Sequence, residues 1–142
     1  MKKLMMLLPL IVGLISCNGG ETTTVNAAEP LKDHVEVIYF HGKQRCATCV
    51  AIENETKVVV EQQFADEVNA GTVVFRIVDI SDPQNEELAD KYEVSWSSLY
   101  LISYKNGNET RQNLTDFGFG TARSKPEVFR KGLAEQINAA LK

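Results

Sequence analysis

The run His34-Val35-Glu36-Val37-Ile38-Tyr39-Phe40-His41-Gly42-Lys43-Gln44-Arg45-Cys46-Ala47-Thr48-Cys49 passes from an apolar segment, through a polar loop, to two cysteines three positions apart. Val35 to Phe40 is rich in β-branched and aromatic residues, which predicts a buried strand. After the loop, Ile52, Val59, Val60, Phe64 and Val68 recur near helical spacing, with Glu53, Lys57, Glu61 and Asp66 between them. This predicts one long helix from about Cys46 to Val68. At the start of a helix Cys46 and Cys49 share one face. Their Cα atoms should lie about 5–6 Å apart, within disulfide range. The unpaired N–H groups and the dipole of the helix N-terminus favour a thiolate at Cys46.

Downstream, Asn69-Ala70-Gly71 is expected to close the helix, with Gly71 just past its end. Thr72 to Ile80 reads as a second strand, almost continuously apolar and therefore expected to be covered on both faces. Asp82-Pro83 should cap a shorter helix to about Tyr92. Ser98 to Tyr104 is a third strand, Asn106-Gly107 a hairpin turn, and Glu109 to Leu114 the returning strand. Asp116 to Thr121 reads as a connection. Ser124-Lys125-Pro126-Glu127 reads as a capping box for a last helix whose apolar stripe is Val128, Phe129, Leu133, Ile137 and Leu141. The order is β-α-β-α-β-β-α. The first three strands are expected to be parallel and the last two antiparallel, in a four-stranded mixed α/β sheet with helices on both faces.

The N-terminal end has a different character. Lys2 and Lys3 precede an apolar run, Leu4 to Ile15, of about 12 residues, which fits a signal-peptide core and is short for a membrane span. It ends in Leu14-Ile15-Ser16-Cys17, which resembles the lipobox of bacterial lipoproteins; an ordinary secretory signal is the alternative. On the first reading residues 1–16 are the signal peptide, Cys17 carries lipid, and residues 17–33, polar and rich in Gly and Thr, form a tether spanning on the order of 20 Å. Residues 34–142 are then one domain in the cell envelope, facing the periplasm or exterior. Of the three cysteines, Cys46 and Cys49 remain as its thiol couple, outside the cytosol where disulfides persist. The formal net charge of −4 grows more negative once Lys2 and Lys3 are removed. An acidic domain without a basic cluster argues against nucleic acid as a partner. The membrane would be reached through the lipid.

From about residue 34 to 142 the chain resembles the thioredoxin superfamily. The likeness rests on the element order, on Cys46-x-x-Cys49 after the first strand, and on Val74-Phe75-Arg76-Ile77-Val78-Asp79-Ile80 followed by Leu88-Ala89-Asp90-Lys91-Tyr92-Glu93-Val94. With the lipobox, it is similar to membrane-anchored thioredoxin-like lipoproteins of Gram-negative bacteria. The resemblance implies a thiol–disulfide oxidoreductase, reductase-like in use. Cys46 would be the exposed attacking thiol and Cys49 the buried resolving one. Protein thiols and disulfides would be the partners, a membrane electron donor would supply the reducing equivalents, and the chain would be monomeric. No cofactor beyond the cysteine pair is implied.

Two departures stand out. The superfamily's cis-proline falls here on Ser98, after Ser97, and no proline lies between Pro83 and Pro126. A cis bond without proline costs about 3 kcal/mol, so a trans peptide or a remodelled loop is expected. Ser97 and Ser98, with Trp96 beside them, are the candidates for substrate binding, and Tyr100 flanks them. Thioredoxin also carries a buried acid in its first strand, whereas Val37 to Phe40 has none. His41 is a candidate proton acceptor, since imidazole as a class takes up protons near neutrality; Arg45 and Lys43 add positive charge near Cys46. Alternatives are a structural disulfide, a non-catalytic binding module on the same scaffold, or a metal-handling site. A closed zinc site would need His34, at the far end of the strand about 20 Å away, so no metal is expected.

Overall fold

The structure, a computed structural model, describes residues 32–142. The expected signal peptide, Cys17 and all but the end of the tether lie outside the described residues. Strand β1 (His34–His41) runs up the middle of a four-stranded sheet of order β2-β1-β3-β4. Val35, Val37, Ile38, Tyr39 and Phe40 are all buried, because β1 has a strand on each side and helices on each face. Strand β2 (Val73–Asp79) pairs with β1 in parallel, His41 lying opposite Asp79. Strands β3 (Ser98–Lys105) and β4 (Asn108–Asn113) form an antiparallel hairpin. Asn106 and Gly107 both have positive φ at its tip, as the Asn-Gly signal requires.

Two apolar layers sandwich the sheet. Helix α1 (Ala47–Gln63) and helix α5 (Pro126–Leu141) cover one face, where Val37, Tyr39, Leu99 and Leu101 meet Ile52, Val59, Phe129, Leu133 and Ile137. Helix α3 (Glu86–Lys91) flanks the other, where Ile38, Phe40, Val78 and Ile102 meet Tyr92.

Several expectations are corrected. Strand β3 runs antiparallel to β1, with Phe40 opposite Ser98, so only β1 and β2 are parallel. The connection from β2 holds a 3₁₀ turn (Pro83–Asn85) and the six residues of α3. These bring the chain back to the end of the sheet where β2 finished, and β3 starts from there. Strand β2 is an edge strand, not covered on both sides, and Ile77 is 45% exposed. The long helix divides at Phe64, whose φ of −128° breaks α1 from the short α2 (Ala65–Asn69). Phe64 turns into the core while Val68 is left exposed; no proline or glycine marks the break. The stretch from Asp116 to Thr121, expected to be a connection, lies in helix α4 (Thr115–Thr121). The capping box does not form: the Ser124 hydroxyl donates back to the Gly120 carbonyl at 3.1 Å, and Lys125 occupies the cap. Val128 lies outside the buried stripe of α5.

Other local readings hold. Asp82 accepts from the Gln84 N–H at 2.9 Å, with Pro83 in the first turn. Gly71, at φ 72°, closes α2 in a Schellman pattern: its N–H donates to the Val68 carbonyl and the Thr72 N–H to the Glu67 carbonyl.

Candidate functional site

The C-terminal ends of β1 and β2 and the N-terminal ends of β3 and α1 meet at one edge of the sandwich. There the loop after β1 delivers Cys46 to the N-cap of α1. Cys46 and Cys49 form a disulfide with Cα atoms 5.0 Å apart. The Cys46 sulfur also accepts the Cys49 N–H at 3.0 Å, so the cysteine serves as the cap of its own helix. A thiolate formed there on reduction would keep that N–H and face the positive end of the helix dipole. The two sulfur-bearing residues differ in access: Cys46 is exposed and Cys49 only 5% exposed.

Beneath them lies Tyr39, fully buried on β1, whose phenol donates to the Cys49 carbonyl at 2.8 Å. Burial pushes its pKa up, against smaller opposing effects of Ser97 and Arg45. The phenol therefore stays protonated and acts as a donor. His41 ends β1, its ring 6.2 Å from that of Tyr39. Its Nδ1 contacts the Gly42 carbonyl at 3.1 Å. A carbonyl only accepts, so in the neutral ring Nδ1 carries the proton and Nε2 is the basic nitrogen. On β2, Asp79 is held below the usual carboxylate range by hydrogen bonds from the Ser81 hydroxyl and N–H, with lesser help from His41 and Arg45.

Arg45 sits beside the pair as expected, but its guanidinium is engaged by Glu53 on α1. The resulting ion pair presents less net positive charge to Cys46 than the sequence suggests. Lys43 is exposed in the loop.

The Ser97–Ser98 peptide is trans, since no cis bond occurs among the described residues. Both serine side chains are buried. The Ser98 hydroxyl donates to the Trp96 carbonyl at 3.0 Å and pins the turn into β3. Trp96 is 58% exposed and lies over Phe119 of α4, ring centroids 5.7 Å apart. Together with Gly42, Gln44, Cys49, Ile80, Ser95 and Ser97 they line a shallow groove of about 380 Å³ beside the disulfide. All eight lining residues are uncharged. Tyr100, expected to flank the site, packs instead on the opposite face against Phe40 and Tyr92. Sequence reasoning missed Phe119 and Ile80, because nothing local shows that α4 folds back to the start of β3. The ties that bring it there are the Leu114 N–H to the Leu99 carbonyl (2.7 Å) and the Leu99 N–H to the Thr115 hydroxyl (3.1 Å).

His34 lies at the far end of β1, stacked on Tyr104, away from the cysteines. Among the described residues no three His, Cys, Asp or Glu side chains gather as metal ligands would.

Solved structures share this architecture. The Trx4 domain of ERdj5 matches with a TM-score of 0.51 at 15% identity, over 77% of this chain and 81% of that one. Fasciola hepatica thioredoxin matches at 0.47 and 22% identity, over 77% and 83%. A thioredoxin from Thermus thermophilus matches at 0.45 and 18%, over 77% and 80%. The first of these, at 15% identity, shows the fold alone, which is thioredoxin-like. No protein-family model matches the sequence, and no curated protein matches it.

Proposed function

We propose that this thioredoxin-like domain is a thiol–disulfide oxidoreductase that acts on protein partners through Cys46 and Cys49. The observation that carries the reading is the asymmetric disulfide itself, with Cys46 exposed at the N-cap of α1 and Cys49 buried behind it. In the reductive direction the Cys46 thiolate attacks a partner's disulfide. A mixed disulfide forms and one partner sulfur leaves as a thiolate. Cys49, deprotonated by solvent or by His41, then attacks the Cys46 sulfur. The Cys46–Cys49 bond closes, and the second partner sulfur leaves and takes a proton. The partner gains two electrons and the protein pair loses two. A dithiol donor must restore the pair before the next turnover.

The groove beside the disulfide is the docking place for the partner segment that carries the sulfur. Trp96 supplies exposed apolar area and Ser97 lines the groove, while the buried Ser98 hydroxyl is engaged by the Trp96 carbonyl and holds the turn that presents them. Reductase-like use, an extracytoplasmic domain held by lipid at Cys17, and a membrane electron donor complete the proposal. They rest on Leu14-Ile15-Ser16-Cys17 and on a cysteine couple suited to an oxidising compartment.

Insulin reduction with dithiothreitol tests the chemistry. Cys46→Ser should abolish turnover, while Cys49→Ser should accumulate mixed disulfides at Cys46 that identify the partners by mass spectrometry. Undiminished turnover in Cys46→Ser refutes the assignment.

A further inference from the structure

We propose that Tyr39 is a positioning residue for the second sulfur. Its buried phenol holds the Cys49 carbonyl, and with it the first turn of α1, in the place from which Cys49 closes on Cys46. The inference rests on the exchange reading above and extends it to a residue outside the cysteine pair.

The bond is 2.8 Å long and joins β1 to α1 across ten positions of sequence. The Cys49 carbonyl already belongs to the helix ladder, and its second lone pair accommodates the phenol. Among the described hydrogen bonds, the first turn of α1 has the Cys46 sulfur as its only side-chain cap. That cap is on the residue that changes partner during exchange. Tyr39 is independent of the sulfur chemistry: it is fully buried and its phenol stays protonated. When the disulfide opens, the turn therefore remains tied to the central strand, and Cys49 stays behind Cys46 instead of fraying away.

The step concerned is unimolecular. The Cys49 thiolate attacks the Cys46 sulfur of the mixed disulfide, the Cys46–partner bond breaks, and the partner sulfur departs as a thiolate that takes a proton from water. A group that only positions Cys49 should change the rate of this closure. It should leave unchanged both the bimolecular attack by Cys46 and the pH at which Cys49 ionises.

An aromatic disulfide reagent, 5,5′-dithiobis-(2-nitrobenzoate), separates the two steps. Attack by Cys46 on the reduced protein releases one coloured thiolate in a concentration-dependent phase. Closure by Cys49 releases the second in a concentration-independent phase. The full chain carrying Cys17→Ser restricts the reaction to the two thiols of interest. Tyr39→Phe removes the hydroxyl and keeps the ring. It should slow the second phase about fivefold, the worth of one buried hydrogen bond, with the first phase and the pH midpoint of the second unaltered. Cys49→Ser should lack the second phase altogether.

An unchanged second phase in Tyr39→Phe overturns the proposal. So does equal slowing of both phases, or a moved pH midpoint, which would make the phenol a proton-handling group. A wild-type protein that fails to reduce insulin defeats the exchange reading, yet the reagent still measures what Tyr39 does to closure.

Discussion

Glu93 has a left-handed backbone, φ 53°, that a residue with a Cβ adopts at a cost. It stands just past α3, where its N–H donates to the Asp90 carbonyl at 3.0 Å and the Val94 N–H to the Ala89 carbonyl at 2.9 Å. This is the same Schellman closure that Gly71 makes after α2, formed here by a glutamate. Val94 packs against the apolar layer around Phe40 and Tyr92, which holds the turn in place. Relieving the left-handed strain should return about 1–2 kcal/mol, while glycine's freedom in the unfolded chain takes back about 0.4–1 kcal/mol. Glu93→Gly should therefore raise stability by roughly 0.5–1 kcal/mol in urea denaturation. A lower midpoint would mean that the glutamate side chain supports the turn. Gly71 was legible in the sequence because glycine is the usual residue for this closure. Glu93 was not, because the requirement comes from where Val94 must pack.

Helix α4 shows the same dependence on neighbours among whole elements. Its sequence, Thr115-Asp116-Phe117-Gly118-Phe119-Gly120-Thr121, has two glycines and reads as a loop by propensity. It is a helix because it is wedged between α1 and α5, and Gly118 allows the close approach to α1. A Cβ on Gly118 would sit 3.2 Å from Ile52 of α1. On α5, a Cβ on Gly132 would lie 2.7 Å from the Phe117 ring, which is itself stacked on Phe129 at 5.4 Å. Alanine at position 132 improves helix propensity by about 1 kcal/mol, but the ring has Phe129 beside it and must push α4 outward. Overpacking of this kind costs about 1–3 kcal/mol. Gly132→Ala should thus be neutral to destabilising by about 2 kcal/mol in thermal or urea unfolding. It should also loosen Phe119 against Trp96, visible as a change in Trp96 fluorescence. A clear gain in stability would show that α4 is not pinned in this way.

Across the whole molecule, carboxylates at the sheet's periphery join elements that are far apart in sequence. Glu109 of β4 loses hydration by burial. That effect is outweighed by hydrogen bonds from Lys91 in α3's last turn, from Arg111, and from Tyr104 of β3, so its pKa lies below the ordinary 4.5. Asp79 likewise lies below 3.8, chiefly through Ser81. A pKa lower in the folded than in the unfolded state gives stability that is complete above the unfolded value and is lost as pH falls through the folded one. Unfolding free energy should therefore be flat with respect to these groups from neutrality to about pH 5 and decline below about pH 4.5. Glu109→Gln should make that decline shallower. An unaltered acid limb in the variant would remove Glu109 from the account.

The linear chain contains the information for local structure where one residue type answers one local demand. The β-branched and aromatic run of β1 needs cover on both faces, Asn106-Gly107 tolerates positive φ, Asp82-Pro83 caps a turn, and Cys46-x-x-Cys49 at a helix start brings two sulfurs within bonding distance. The likeness of Val74–Ile80 and Leu88–Val94 to a known pattern extends that reading to a four-stranded, thioredoxin-like sheet. Other features depend on groups distant in sequence. The antiparallel direction of β3 follows from a connection that returns to the end of the sheet where β2 finished, and the edge position of β2 from β3 taking the other side of β1. The break at Phe64, the helicity of α4, the pairing of Arg45 with Glu53 and the phenol of Tyr39 under Cys49 arise because packing brings those groups together. Periodicity and turn chemistry act over a few residues, so they are written in the order of the side chains. Contacts across the sandwich are selected by burial and hydrogen bonding among many segments at once, and they exist only when the chain has folded.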